Sequence, residues 1–262
     1  MQPLFNTSSY DTPTDKPRFF LDRLALNTRF VFVAGVVNVI NNARILANKG
    51  CYDNKAWLKS STDIVKIIEG CGGKFHLRGL DNISSCREPV VFISNHMSTL
   101  ETFVFPCLIT PFMNVTFVVK DSLVKHPFFG SIMRSRNPIV VTRDNPREDF
   151  KIVMEKGKEL LKKGTSVIIF PQSTRALTFE PENFNSLGIK LAKAAGVKVI
   201  PVAIKTDFWG NGKILKDLGP ISRNKHIYMN FGEPFSIKGS GKEEHQFIVD
   251  FIQANLNEWK NT

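Results

Sequence analysis

The sequence predicts an α/β domain, a mainly parallel sheet covered by helices, preceded by an N-terminal helical membrane-binding extension. Three observations carry this prediction. Short apolar runs rich in β-branched residues alternate with helix-period segments, the order expected of parallel strands joined by helical crossovers. Polar clusters follow three of these runs without a gap, at the strand ends where open α/β sheets bind ligands. The chain has 262 residues, enough for one such domain and an extension.

Residues 1–17 are rich in Ser, Thr, Pro and Asn and are expected to form a disordered lead. Arg18 to Ala47 reads as helix, with Phe19-Phe20-Leu21, Leu24, Leu26, Phe30-Val31-Phe32-Val33, Val36-Val37 and Val39-Ile40 on a broad apolar face. Arg18, Arg23, Arg29, Arg44 and Lys49 flank or punctuate that face. Two readings fit: a helix lying in the membrane interface among anionic headgroups, and a buried helix packed on the sheet. The longest apolar run, Phe30 to Ile40, is shorter than the roughly 20 residues that span a bilayer. A second helix, Lys55 to Glu69, ends at Gly70-Cys71-Gly72-Gly73, which is no phosphate loop because Gly-Lys-Ser/Thr does not follow. Residues 18–70 are expected to form a helical region, a membrane-association region on the first reading and a layer packed on the sheet on the second, and 71–262 the α/β domain.

Phe75 to Leu80 suits a short edge strand. Val90 to Ser94 is a buried strand running straight into Asn95-His96-Met97-Ser98-Thr99-Leu100-Glu101, after which Leu100, Phe103-Val104 and Cys107-Leu108 make a helical stripe bent or ended near Pro106. Val115 to Lys120 and Pro138 to Thr142 are further strands, the latter leading into Arg143. Asn145-Pro146-Arg147-Glu148 supplies an N-cap, a first-position proline and a capping-box carboxylate for a helix from Pro146 to Lys163, closed by Gly164. Thr165 to Phe170 is a strand ending in Pro171-Gln172-Ser173-Thr174-Arg175. A helix over Ser186 to Ala195 and strands over Val199 to Ile204 and Ile227 to Phe231 follow. Ser240-Gly241-Lys242-Glu243 fits a capping box for a last helix carrying Phe247, Ile248, Phe251, Ile252, Leu256 and Trp259 on one face.

The balance of 35 basic against 24 acidic residues gives a net charge of +11, which favours anionic partners: acidic headgroups, phosphorylated substrates or nucleic acid. The basic residues are spread along the chain with no zinc-finger or RNP signature, so nucleic acid is not the expected partner. Cys51, Cys71, Cys86 and Cys107 share no metal-ligand spacing and are too few for a disulfide framework, so no metal is expected and reduced thiols are. The polar start, with Asp11 and Asp15, does not suit a signal peptide.

His96 with Glu101, Arg143, and Thr174 with Arg175 each follow a different strand, so one rim of the sheet can gather all three clusters. An imidazole with a carboxylate to hold its tautomer is a general base, although the same His-x4-Glu spacing also suits a capped turn. Arginine forks match phosphate oxygens and keep their charge. Lys120, at a strand end, is a further candidate contact for substrate phosphates. Arg143 as a surface cap and Arg175 paired with Glu180 or Glu182 are the structural alternatives, and Ser98 suits a helix cap better than a nucleophile.

These blocks resemble the glycerolipid acyltransferase family, the 1-acylglycerol-3-phosphate acyltransferases and their relatives. The family pattern Asn-His-x4-Asp is met by Asn95 to Glu101, a later glycine and arginine by Gly130 and Arg143, Phe-Pro-Glu-Gly-Thr-Arg by Phe170 to Arg175, and an apolar proline strand by Val199-Ile200-Pro201-Val202. Glu101 replaces Asp, while Gln172 and Ser173 replace Glu and Gly, departures that bear on the acceptor more than on the reaction. The resemblance implies an O-acyltransferase on the cytoplasmic side of a membrane, held there peripherally or at the interface, with no cofactor beyond its acyl donor, acyl-CoA or acyl carrier protein. His96, held by Glu101, would deprotonate a lysophospholipid hydroxyl. Lys120, Arg143, Ser173, Thr174 and Arg175 would bind substrate, the turn at Ser173 and Thr174 by backbone N–H groups facing the oxyanion. An aminolipid or sugar-lipid acceptor, or a non-catalytic lipid-binding protein of the same fold, are the alternatives.

Overall fold

The computed structural model describes residues 3–5, 7–26, 28–172, 174–212, 217 and 219–260. Its strands are Tyr10–Asp11 (β1), Phe75–Arg78 (β2), Val91–Ser94 (β3), Asn114–Lys120 (β4), Ile139–Val141 (β5), Thr165–Ile169 (β6), Val199–Lys205 (β7) and Ile227–Phe231 (β8). Among the described residues they form one sheet in the order β1-β2-β8-β7-β3-β6-β4-β5. From β7 to β5 all neighbours run parallel, while β8 is antiparallel to β7. β2 runs parallel to β8, and β1 closes that edge antiparallel to β2. The sheet is thus mixed but mostly parallel. β3, at its centre, is buried on both faces, which is why it reads as an unbroken apolar run.

The helices are Phe20–Leu24 (α1), Phe30–Asn48 (α2), Asn54–Gly70 (α3), Leu80–Ser84 (α4), Leu100–Ile109 (α5), Asp121–Lys125 (α6), Gly130–Ser135 (α7), Pro146–Lys162 (α8), Leu187–Ala195 (α9) and Lys242–Glu258 (α10). Adjacent strand residues point to opposite faces, and β3 shows the result. Ile93 packs beneath Gly188 of α9, where an added Cβ would lie 2.6 Å from the Ile93 Cδ1. Phe92 meets Phe231 on the other face, and Phe231 in turn meets Phe105 of α5. Helix α8 packs on α9, and on the α5 side α3 packs on α5 with α2 on α3. The core runs unbroken from Phe32, Val36 and Ile40 of α2 through Ile64 and Ile68 of α3 into the strands.

Helix α5 runs through Pro106 to Ile109, past the point where a bend or end is expected. Proline disturbs the ladder of the preceding turn, and Ser61 of α3 repairs it. Its hydroxyl accepts from the Cys107 amide at 2.9 Å and donates to the Phe103 carbonyl at 2.5 Å, sitting between two groups that an ordinary helix would join directly. The expected capping box of α10 is replaced by Gly241 as N-cap, in the left-handed region at φ 84°. The cap of α8 forms as expected, with Asn145 accepting from the Glu148 amide at 3.3 Å.

The N-terminal region differs from expectation in two ways. The lead expected to be disordered is fastened at Tyr10 to Lys16: β1 pairs with β2, and the buried Glu69 of α3 accepts from the Tyr10 hydroxyl at 2.6 Å, from the Thr12 hydroxyl at 2.7 Å and from Lys16. Phe75 to Leu80, expected at a sheet edge, is thereby covered. The single helix expected over Arg18 to Ala47 is two, parted where Leu26 takes a left-handed conformation at φ 50° that no helix continues through. Helix α2 extends past Ile40 to 19 residues, long and apolar enough to cross a membrane, with only 22% of its most apolar window buried. In α1, Phe20 and Leu21 are 72% and 65% exposed, while Asp22 is fully buried. Asp22 accepts from Arg18 Nε at 2.8 Å and from Arg223 Nη2 at 2.8 Å. All four cysteines are free thiols, and burial pushes those of Cys71 and Cys107 up to about 12.

Candidate active site

The carboxyl end of β3 delivers Asn95 and His96 to the rim, and Asn95 fixes the exit of the chain. Its side-chain amide donates to the Ile204 carbonyl and accepts from the Ile204 amide, both at 2.9 Å, continuing the β3–β7 ladder with a side chain in place of backbone. His96 follows, with its ring stacked on Phe170 at 4.2 Å between centroids and its side chain 14% exposed. Its backbone is clamped at both ends by the segment after β6. The His96 amide donates to Gln172 Oε1 at 2.7 Å, and the Ala176 amide donates to the His96 carbonyl at 3.0 Å.

Glu101, in the first turn of α5, is fully buried and reaches back to the imidazole. Its Oε1 lies 2.8 Å from His96 Nδ1 and accepts from the amides of Met97 at 2.7 Å and Ser98 at 2.9 Å. Its Oε2 accepts from the hydroxyls of Ser98 at 3.0 Å and Thr206 at 2.7 Å. The additional methylene of Glu relative to Asp is absorbed by this fold-back onto the helix N-terminus, where the helix dipole favours an anion. Burial pushes the Glu101 carboxyl up, but the hydrogen bond and charge of His96 and the bonds from Thr206 and Ser98 outweigh it and hold the group below the usual carboxylate range. A carboxylate so fixed keeps the proton of neutral His96 on Nδ1 and leaves Nε2 as the basic nitrogen.

The arginines converge on the same rim. Arg175 Nη1 donates to the Thr99 hydroxyl and to Asp217 Oδ1, the latter at 2.7 Å. Its acidic partner is Asp217, in place of Glu180 or Glu182. Arg143 is exposed and sits in the left-handed region at φ 68°, held there by Asp149, which accepts from the Thr142 amide at 2.8 Å and the Arg143 amide at 2.7 Å. Partial desolvation lowers the Arg143 pKa; Asp149 opposes this, and the neighbouring Arg175 cation adds to it, which places the two guanidinium groups within electrostatic reach. Lys120 ends β4 opposite Val141 in register, two residues before Arg143. Thr174 is exposed beside Arg175, and Ser173 lies outside the described residues. Ser98 serves Glu101 and also accepts from the Leu100 amide at 3.1 Å, so its hydroxyl holds the first amide of α5, whose N-cap is Thr99, and orients the carboxylate as well.

A family model described as Acyltransferase matches residues 74–205, half of the chain, and that span contains every one of these site residues except Thr206 and Asp217. The chain belongs to that family. Among similar proteins, a 1-acyl-sn-glycerol-3-phosphate acyltransferase of Pseudomonas aeruginosa is 34% identical over 147 residues, covering 56% of this chain and 54% of the relative. The chloroplastic 1-acyl-sn-glycerol-3-phosphate acyltransferase LPAT1 of Arabidopsis thaliana is 31% identical over 142 residues, covering 54% of this chain and 38% of the relative. The matches thus span about half or less of the length of these curated relatives. The crystal structure of the 1-acyl-sn-glycerophosphate (LPA) acyltransferase PlsC from Thermotoga maritima superimposes with a TM-score of 0.65 at 19% identity, covering 92% of this chain and 97% of that one, and shares the fold.

In this member of the family, four participants have no motif of their own in sequence. Thr206 and Asp217 come from beyond β7, Thr99 lies inside the first block without a distinguishing pattern, and Gln172 stands where the family pattern has a carboxylate. Gln172 uses its side-chain carbonyl to hold the His96 amide, a task that needs an acceptor and no charge.

Proposed function

We propose that this chain is an O-acyltransferase that moves a fatty acyl group from acyl-CoA or acyl carrier protein to the free hydroxyl of a lysophospholipid such as 1-acylglycerol-3-phosphate, with His96 as general base. The observation that carries this reading is the buried Glu101 carboxylate 2.8 Å from His96 Nδ1. His96 Nε2 takes the hydroxyl proton as the oxygen attacks the thioester carbonyl carbon. The tetrahedral intermediate collapses, the C–S bond breaks, and the leaving sulfur receives the proton back from Nε2, giving ester and free thiol with no covalent enzyme intermediate. Arg175 and Arg143 hold the acceptor's phosphate, a role their forks and shared rim position favour. The names of the relatives from Pseudomonas aeruginosa and Arabidopsis thaliana support 1-acylglycerol-3-phosphate as the acceptor.

The acceptor is a membrane lipid, and the exposed Phe20, Leu21, Leu24, Leu26 and Phe30, with Arg23 and Arg29 beside them, suit docking on an anionic bilayer at its cytoplasmic side. Thiol release from acyl-CoA with 1-acylglycerol-3-phosphate tests the reaction. His96→Ala is expected to lower kcat by about 10²- to 10⁴-fold, and turnover that survives the substitution would overturn the assignment. Flotation with anionic liposomes tests the docking: unchanged recovery after Phe20→Ser and Leu21→Ser would reject it.

A further inference from the structure

The anion-binding rim already holds an anion, and it belongs to the protein. Arg175 donates to Asp217 Oδ1 at 2.7 Å and to the Thr99 hydroxyl, whose own proton goes to the same Asp217 oxygen at 2.8 Å. The three side chains come from the residue before α5, the segment after β6 and the connection between β7 and β8. That connection leaves and returns through a narrow neck, where Trp209 bridges Ile221 and the Gly210 amide donates to the Pro220 carbonyl at 2.9 Å. Asn211, just beyond the neck, donates to the Met97 carbonyl at 3.1 Å, so the connection is pinned one residue from His96. The Arg175 and Asp217 side chains are 18% and 39% exposed, open enough for one partner to be exchanged for another. A carboxylate that accepts from a guanidinium and a hydroxyl uses the same donors that a phosphate's oxygens would use.

We infer that Asp217 is an internal stand-in for the acceptor's phosphate: it occupies Arg175 and Thr99 in the empty enzyme and gives them up when a phosphomonoester binds. The inference rests on the reading of Arg175 as the phosphate-holding residue. Phosphate and carboxylate cannot accept from the same donors together, so apparent affinity is reduced by the fraction of molecules in which Asp217 holds the site. In the empty enzyme Asp217 compensates the charge of the Arg175 guanidinium. In turnover the exchange precedes the chemical step, so Asp217 raises KM and leaves kcat unchanged.

The test is calorimetric titration of the full chain with glycerol 3-phosphate, a soluble phosphomonoester, at one fixed low ionic strength. Asp217→Asn is expected to bind about two- to fivefold more tightly than the wild type, the scale of a partly exposed ion pair. Asp217→Glu restores the carboxylate and the wild-type affinity. In an Arg175→Gln background the gain from Asp217→Asn disappears, because the carboxylate then has no guanidinium to occupy. Equal or weaker binding by Asp217→Asn overturns the inference, as does the same gain in the Arg175→Gln background, which would mark a diffuse field effect, or absence of binding to every variant. Thermal unfolding of each variant confirms that it is folded. No acyl donor is present, so a wild type that binds and responds as described yet acylates no lysophospholipid would remove the proposed reaction and leave this inference standing.

Discussion

The two halves of the site are built in opposite ways. The proposed base is a closed unit: Glu101 is fully buried, and its two oxygens are met by the His96 imidazole, two amides and two hydroxyls. The proposed anion rim is open, with Arg143 exposed and Arg175 sharing a partly exposed carboxylate. Four of the five donors to Glu101 lie within residues 96–98, so the His96–Glu101 pair is largely a local construction, whereas Arg175, Thr99 and Asp217 meet, and Arg143 comes to the same rim, only through the topology of the sheet. A group that moves a proton needs a fixed tautomer and a fixed distance. A group that takes up and releases a charged lipid needs donors that water and ligand can reach.

The largest effect that would break this contrast is expected at Glu101. Glu101→Ala leaves the Thr206 hydroxyl, two amides and the imidazole without their acceptor, and is expected to lower kcat by about 10²-fold or more and stability by about 3 kcal/mol. Thiol release and urea unfolding measure both, and a kcat within threefold of the wild type would show that His96 needs no orienting partner. Next comes acid. The folded-state Glu101 pKa is depressed below its ordinary value of 4.5, so its stabilising contribution is present above that value and is lost as pH falls through the folded one. Unfolding free energies of wild type and Glu101→Gln are therefore expected to converge as pH is lowered from 7 towards the acid limit of folding, and parallel curves would contradict it.

Gln172→Leu removes the acceptor of the His96 amide at 2.7 Å. It is expected to lower kcat about tenfold, roughly the 1–2 kcal/mol of one buried amide left unpaired, whereas Gln172→Glu keeps an acceptor and most of the rate. The smallest effect separates the halves most cleanly. Raising salt from about 50 to 300 mM screens the open rim, so KM for a phosphorylated acceptor is expected to rise about two- to threefold while kcat holds, because the buried Glu101 carboxylate that pairs with His96 lies outside the reach of the salt. A matching fall in kcat would place the base in the same exposed setting as the arginines.

Much of this was legible along the chain because it is local. The central strands announce themselves as unbroken apolar runs, α8 by its cap and proline, and the His96–Glu101 pair by an imidazole and a carboxylate five residues apart. What escaped depends on contacts between distant residues. Nothing near Pro106 signals that Ser61, on another helix, will carry α5 through the proline. β1 is two residues in a polar lead, and it forms because β2 presents an edge and Glu69 presents a buried acceptor. Leu26 gives no warning in composition that it turns left-handed and divides the first helix. At the site, Thr206 and Asp217 carry no motif, and the β7 register and the folded-back connection bring them in. Gln172, read in sequence as a replaced carboxylate, is in the fold the neutral acceptor of the His96 amide.

Helix α1 is inside out. In most surface helices the oily side chains anchor the element and the charged ones face water, yet here the inward residue is Asp22 and the outward ones are Phe20, Leu21 and Leu24. Rolling the helix to hide those side chains would tear Asp22 from Arg18 and Arg223 and strand a buried anion. The ion pairs thus act as a ratchet pawl on a five-residue rod, keeping its greasy side turned outward before anything arrives to cover it.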